Sequence, residues 1–218
     1  MNLTDLQNEV GSLSAPSKMP CHGYSIPAQT CKIGSALRNV ANSVCSDCYA
    51  LKNRYLFDNV QKAMQKRFEA LSSNIHKWEK YITKLIRHKE KSGYFRWHDS
   101  GDLQSLQHLT AINNIAVTLS DIKFWLPTRE KSIVTSWLAQ NKLAKNLTIR
   151  ISAPLVGSNA RLNSRLVSFN KSNHTVTTSS VGWDESEYHC PAYKQGNKCG
   201  NCRACWDTKV SNVNYKLH

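Results

Sequence analysis

YFRWHDSGD, residues 94–102, is where the pattern of the chain changes. Ser92-Gly93 closes a long helical region, and aromatic residues suited to a strand then run straight into a polar turn. Leu103 to Leu119 reads as a helix, with Leu106, Leu109, Ile112, Ala116 and Leu119 on one side. IKFWLPTRE (122–130) is a second strand ending in polar residues. Ile133 to Leu143 is the next helix, with Ile133, Trp137 and Leu138 inward, and LTIRISAP (147–154) is a third strand. Arg161 to Phe169 reads as a short helix and HTVTTSS (174–180) as a fourth strand. Strand and helix alternate at roughly 25 to 30 residues a time, the rhythm of βαβ units and parallel sheets. A complete eight-unit barrel takes about 250 residues, and the chain has 218. The expected fold is therefore α/β: a partial (β/α) barrel with parallel strands, a cysteine-rich N-terminal loop and a cysteine-rich C-terminal segment.

In such folds chemistry gathers at the carboxyl ends of the strands. The first of these strands ends in His98, Asp99, Ser100 and Asp102, the second in Thr128, Arg129 and Glu130, and the third carries Arg150 and Ser152 before Pro154. Each has a plain alternative: Asp102 as a helix cap, Arg129 and Glu130 as a surface ion pair. Arg150 alternates with apolar neighbours, so in a sheet buried on both faces its charge needs a partner or a ligand. His98, Asp99 and Arg129 are the candidate catalytic residues, and Ser100, Asp102 and Arg150 the candidate cofactor-binding residues.

Near the C-terminus stands CPAYKQGNKCGNCRACW (190–206), where Cys199, Cys202 and Cys205 follow one another at every third position and Cys190 precedes them. Zinc sites usually combine a C-x2-C knuckle with ligands from a separate segment. A third cysteine at the same step suits an iron–sulfur cube, three of whose irons a short loop can reach. Structural zinc and a grouping of free thiols are the alternatives. A second set lies near the start: CHGYSIPAQTC (21–31), then VCSDCYALKNRY (44–55) with Cys45 and Cys48. If Tyr24 to Pro27 is a first strand, Cys31, Cys45 and Cys48 fall in the loop after it, on the rim. Three thiolates on a four-iron cluster leave one iron open. Cys21, before the strand, is either a further ligand or an ordinary buried thiol.

Residues 3–10 read as a short helix, and residues 32–44 as a loop or weak helix. Val60, Met64, Phe68 and Leu71 form one helical stripe; Ile75, Trp78, Ile82, Leu85 and Ile86 form another, with Ser73 or Asn74 as its cap. Between Lys52 and Lys91 stand eleven Lys or Arg against four acids, within a net charge of +14. That basic face allows a nucleic-acid partner without demanding one. No apolar run is long enough to span a membrane, and no secretory signal is visible. Eight cysteines without such a signal argue for a reducing compartment, the cytoplasm. The organisation expected is an arm at 1–20, an α/β domain at 21–189 and a cluster-binding segment at 190–218.

VCSDCYALK, YFRWHDSGD, FWLPTRE and CPAYKQGNKCGNCRACWD together resemble the bacteriophage gene product 88 domain family, from about Lys18 to Asp207. In layout the chain is similar, more distantly, to radical-SAM enzymes. That likeness implies a [4Fe-4S] cluster on Cys31, Cys45 and Cys48, with S-adenosylmethionine as cofactor at the Asp99–Asp102 turn. The first cysteine gap here is longer than in those enzymes, and the turn is DSGD rather than a Gly-Gly-Glu-Pro type sequence. The function expected is an iron–sulfur protein with one or two [4Fe-4S] clusters, possessing an open iron for a small-molecule substrate or S-adenosylmethionine. The alternative is a non-catalytic, metal-stapled module that binds nucleic acid through its basic helices.

Overall fold

The alternation that begins at residue 94 becomes a six-stranded, all-parallel sheet in strict sequence order. The computed structural model describes residues 1–173 and 176–217. The strands are β1 (Gly23–Tyr24), β2 (Tyr94–Trp97), β3 (Lys123–Thr128), β4 (Leu147–Ser152), β5 (Val176–Val181) and β6 (Asn212–Tyr215). β1 and β6 are the two edges, so the sheet is an open partial barrel. Residues His174 and Thr175 of the expected fourth strand lie outside the described residues.

Side chains alternate across a strand, and this alternation sorts the sheet into two faces. Phe95, Trp97, Phe124, Leu126, Leu147, Ile149, Ile151 and Val176 share one core with the helices. The helices are α1 (Leu3–Val10), α2 (Lys32–Leu37), α3 (Asp58–Ser73), α4 (Ile75–Lys89), α5 (Leu106–Thr118), α6 (Lys131–Leu138) and α7 (Ser164–Asn173). α4 contributes Trp78, Ile82, Leu85 and Ile86. Fully burying each such aliphatic side chain is worth about 1.5–3 kcal/mol. Asn74 caps α4 by accepting the Lys77 amide at 2.9 Å. Leu6 and Val10 of α1 belong to the same core.

Several boundaries differ from expectation for local reasons. The first strand is Gly23–Tyr24 rather than Tyr24 to Pro27. α5 starts at Leu106 because Ser105 caps it, accepting from the His108 amide at 3.1 Å. α6 stops at Leu138, and Asn141 donates back to the Trp137 carbonyl at 2.8 Å. Among the described residues no helix is long and apolar enough to cross a membrane.

The opposite, concave face is covered by the C-terminal cysteine segment rather than by helices. Trp125 and Val213 pack there with Cys205, Trp206, Ala204 and Cys21. Thr148 donates to the Trp206 carbonyl at 3.0 Å, and the Trp206 indole donates to the Phe95 carbonyl at 2.9 Å.

Arg150 holds this cover in place. Its guanidinium is wholly buried. Nε donates to Cys205 O at 3.1 Å; Nη1 donates to Thr178 O at 3.1 Å and Val210 O at 3.0 Å; Nη2 donates to Ala204 O at 2.7 Å and Asp207 O at 2.8 Å. A guanidinium has five N–H donors, and all are used. Arg150, a candidate cofactor-binding residue, thus has its buried charge partnered within the chain, by backbone carbonyls.

Arg150→Lys keeps the charge but not the planar fork. It strands several buried carbonyls, each costing about 1–3 kcal/mol. We expect a loss of about 3 kcal/mol or more in urea unfolding, with the C-terminal segment becoming sensitive to protease.

Candidate metal and ligand face

The loop after β1 is laid across the carboxyl rim. Cys31 immediately precedes α2, whose Ile33 amide donates to Glu130 Oε1 at 3.0 Å. Further on, the Val44 amide donates to Pro154 O and the Val156 amide to Asn42 O, both at 2.9 Å. These bonds place Cys31 and Cys45 above the ends of β3 and β4. A Cβ on Gly34 would sit 3.6 Å from Cys45 Sγ, 3.7 Å from Cys31 Sγ and 3.0 Å from Cys31 Cβ. The two sulfurs therefore converge on a spot that only glycine leaves free. Burial pushes the Cys31 thiol up to about 12, with Asp102, Cys48 and Cys45 adding to the shift. Burial also raises Cys45, while Arg129 draws it back.

The second group lies on the concave face. Cys202 Sγ is 3.0 Å from the Tyr188 hydroxyl, and Cys205 Sγ is 3.2 Å from that of Tyr215. Cys190 and Cys199 share an electrostatic neighbourhood with Cys202. The Cys199 amide donates to Lys18 O at 2.9 Å, which brings in Cys21; its thiol is raised to about 12 by burial, with Cys199 among the charges it feels. All eight cysteines are free thiols. As placed, no three His, Cys, Asp or Glu side chains among the described residues could hold a single metal ion. The thiols are grouped without being closed on a point.

The polar strand ends divide sharply. His98 has a φ of 54°, a left-handed conformation uncommon for a side-chain-bearing residue. It turns the ring into the helical layer, 5.2 Å from the His108 ring. Both nitrogens of His98 are buried without a partner, and burial pushes its pKa well down. His98 thus faces away from the thiols. Ser100 is buried, its carbonyl accepting the Ile26 amide at 3.2 Å. Gly101 has a φ of 81°, and a Cβ there would lie 2.2 Å from the Ile26 side chain, so the turn is pressed against β1's continuation. Asp102 accepts from the Leu103 amide at 2.7 Å, the Thr128 hydroxyl at 2.5 Å and the Arg129 amide at 2.9 Å. It clamps the end of β2 to the end of β3, which leaves little of it for a cofactor.

Asp99 and Arg129 remain available. Asp99 Oδ2 accepts from the Tyr55 hydroxyl at 2.9 Å, and its carbonyl accepts from Tyr49. Asp99 Oδ1 and Arg129 Nε are buried without a hydrogen-bond partner. So are Arg96 Nε and Trp125 Nε1 on the concave face. Arg96 stacks on Trp125, its guanidinium carbon 4.6 Å from the ring centre. The alternation that exposed Arg150, a charge between apolar residues in a strand, would also have exposed Arg96 between Phe95 and Trp97. Unpaired buried groups cost on the order of 1–3 kcal/mol each. Four of them, from the concave face to the rim, are a large fraction of a domain's stability of about 5–15 kcal/mol.

Fold and site together define an open, all-parallel α/β half-barrel whose concave side gathers free thiols from both ends of the chain. The chain belongs to the Gene product 88 family, whose profile matches residues 2–208. No curated protein and no solved structure matches it.

The buried histidines set an acid limit. His108 is lowered from 6.5 to about 3 by burial, and His98 moves the same way. The fold holds both rings neutral at pH values where a free imidazole takes up a proton. Their contribution is therefore complete above pH 6.5 and is lost as pH falls below it, for His108 down to about 3, by up to about 1.4 kcal/mol per pH unit for each group. His108→Leu should flatten the fall of stability over that window, read by urea unfolding at successive pH values.

Proposed function

We propose that this chain is an iron–sulfur protein. Cys31, Cys45 and Cys48 would hold one [4Fe-4S] cluster, and Cys190, Cys199, Cys202 and Cys205 would hold a second or complete a shared one. The observation that carries the reading is the gathering of free thiols into two groups, Cys31 and Cys45 at the carboxyl rim and the C-terminal cysteines with Cys21 on the concave face. Such a cluster supplies one-electron transfer and, where only three cysteines bind it, an accessible coordination position. Thiolates need compensating charge and hydrogen bonds. Arg129 and Arg38 lie within electrostatic range of Cys45. The Tyr188 and Tyr215 hydroxyls stand ready to donate to Cys202 and Cys205. Gly34 keeps the approach between Cys31 and Cys45 open. In this reading Asp99 and Arg129 face a small-molecule substrate, and S-adenosylmethionine is the cofactor to test first. The protein would then be a redox enzyme of radical-SAM-like layout.

A second reading rests on the outer surface. Lys62, Lys66, Lys80 and Lys84 are exposed along α3 and α4, so a metal-stapled module could hold nucleic acid there. That affinity would fall steeply with salt and survive Asp99→Ala.

Anaerobically purified protein should be brown and contain about four to eight iron atoms per chain if cubes are present. Its reduced EPR signal should change on adding S-adenosylmethionine. Gly34→Ala should lower iron by about half while changing unfolding little, since the preference of a helix for Ala over Gly, about 1 kcal/mol, is offset by the 3.0 Å approach of the added Cβ to Cys31 Cβ. Cys202→Ala should remove about half the iron for two separate clusters, or all of it for one shared cluster. Colourless, iron-free protein carrying stoichiometric zinc would defeat the reading.

A further inference from the structure

Unpartnered buried polar atoms are few in folded proteins, and each one calls for an explanation such as a water, an ion or a ligand. Among the described residues several fall into two groups: Trp97, His98 and His108 on the helix side, and Arg96, Trp125, Asp99 and Arg129 from the concave face to the rim. Arg96 and Trp125 stand side by side in the register of β2 and β3, both facing the concave side. Their Nε and Nε1 atoms have no acceptor. The Trp125 side chain is only 5 % exposed, so solvent does not satisfy it. Asp99 Oδ1, an acceptor without a donor, lies within electrostatic range of Arg96. Arg129 Nε, again without an acceptor, marks the end of β3 beside Cys45. From Trp125 to Arg129 the strand runs about 13 Å. One buried water satisfies two to four groups at a single point and cannot serve both ends.

The cover over Asp99 is light. It consists of the short helical turns Tyr49–Leu51 and Asn53–Leu56, held to the body near Asp99 by the Tyr49 and Tyr55 hydroxyls. Tyr49, Leu56 and Phe57 in this cover are more than half exposed. A molecule under this cover would meet donors at Arg96 and Trp125, an acceptor at Asp99, and Arg129 and the thiols at its far end.

We propose that this face binds a small oxyanion that also carries a hydrogen-bond donor, of the hydroxy- or amino-carboxylate or phosphate kind. Its anionic oxygens lie on Arg96 Nε and Trp125 Nε1, and its hydroxyl or amino group lies on Asp99 Oδ1. The remainder of the molecule points along β3 toward Arg129 and Cys45. The proposal deepens the iron–sulfur reading by naming what would lie beside the N-terminal thiols, and it depends on that reading only for which end reacts.

The test is a titration of the full chain, labelled with nitrogen-15 at tryptophan and with its iron content measured on the same sample. Glycolate, glycine and inorganic phosphate are the probes. The indole resonance assigned to Trp125 through Trp125→Phe should shift saturably with at least one probe. Glycolate or glycine acting alone identifies a carboxylate ligand, and phosphate acting alone a phosphate ligand. Arg96→Gln and Asp99→Asn should each weaken that titration at least tenfold, with the other five indole resonances unmoved as the check on folding. The proposal is overturned if no probe shifts Trp125 at tens of millimolar, if chloride shifts it equally, or if Arg96→Gln and Asp99→Asn titrate like the parent. A shift in iron-free protein supports the pocket while counting against the cluster. Iron present with no shift does the reverse.

Discussion

A charge buried in a sheet must be answered from within the protein, and Arg150 is answered five times by backbone carbonyls. Four of those carbonyls belong to the segment from Ala204 to Val210, more than fifty residues away along the chain. The guanidinium therefore acts as a nail driven from the middle of β4 into the C-terminal segment. It works together with the Thr148 and Trp206 hydrogen bonds and the β5–β6 pairing in holding an irregular, polar, thiol-rich segment against the sheet. Its placement decides that the concave face is covered by cysteines instead of by a second layer of helices, and everything proposed about chemistry follows from that cover.

The covering segment also explains why β6 exists. After β5 the chain crosses the concave side, and its return forms β6 beside β5. Asn212 and Asn214 then bond to Thr178 and Ser180, at 2.8 Å and 3.0 Å respectively. At the other edge, the Cys199 amide reaches Lys18. The two ends of the chain are thus brought together by main-chain bonds before any metal is considered. Because the thiols are assembled by contacts of long sequence separation, metal binding and folding would be thermodynamically linked.

How much of this was legible depended on where side-chain type alone determines position. Phe95, Trp97 and Ile149 alternate with polar or charged neighbours, and Phe124 to Leu126 is a bulky apolar run, so their strands and the parallel order could be read directly. β6 could not: NVNY has no β-branched or aromatic run, and its asparagines earn their place only by bonding across to Thr178 and Ser180. β1 is short for a related reason. A Cβ at Gly23 would lie 2.9 Å from the Arg96 carbonyl, a close approach set by a strand seventy residues later. His98 departs from strand alternation because its left-handed backbone, invisible in the letters, reverses the face a strand end would present. Arg96 is legible by the same rule as Arg150, a charge between apolar residues of a strand. Of the turn after β2, Asp102 proves to be a clamp between strands, and Asp99 alone keeps an oxygen to offer.

The two faces of the sheet therefore treat unpaired polarity in opposite ways. On the helix side, His98 and His108 are buried as neutral rings within an aromatic layer that includes Trp78 and Trp97, and losing their charge is the cheaper course. An arginine has no such escape, because its guanidinium stays protonated. Arg150 resolves its charge with carbonyls, whereas Arg96 has Met19 Sδ at 3.3 Å and the Trp125 face, with Nε left over. Two arginines of one concave surface, on β2 and β4 with β3 between them, thus differ in a single respect: one is finished by its own chain and the other is not. That difference separates a structural post from a binding group. It places the unfinished one between the thiols of the rim and those of the cover.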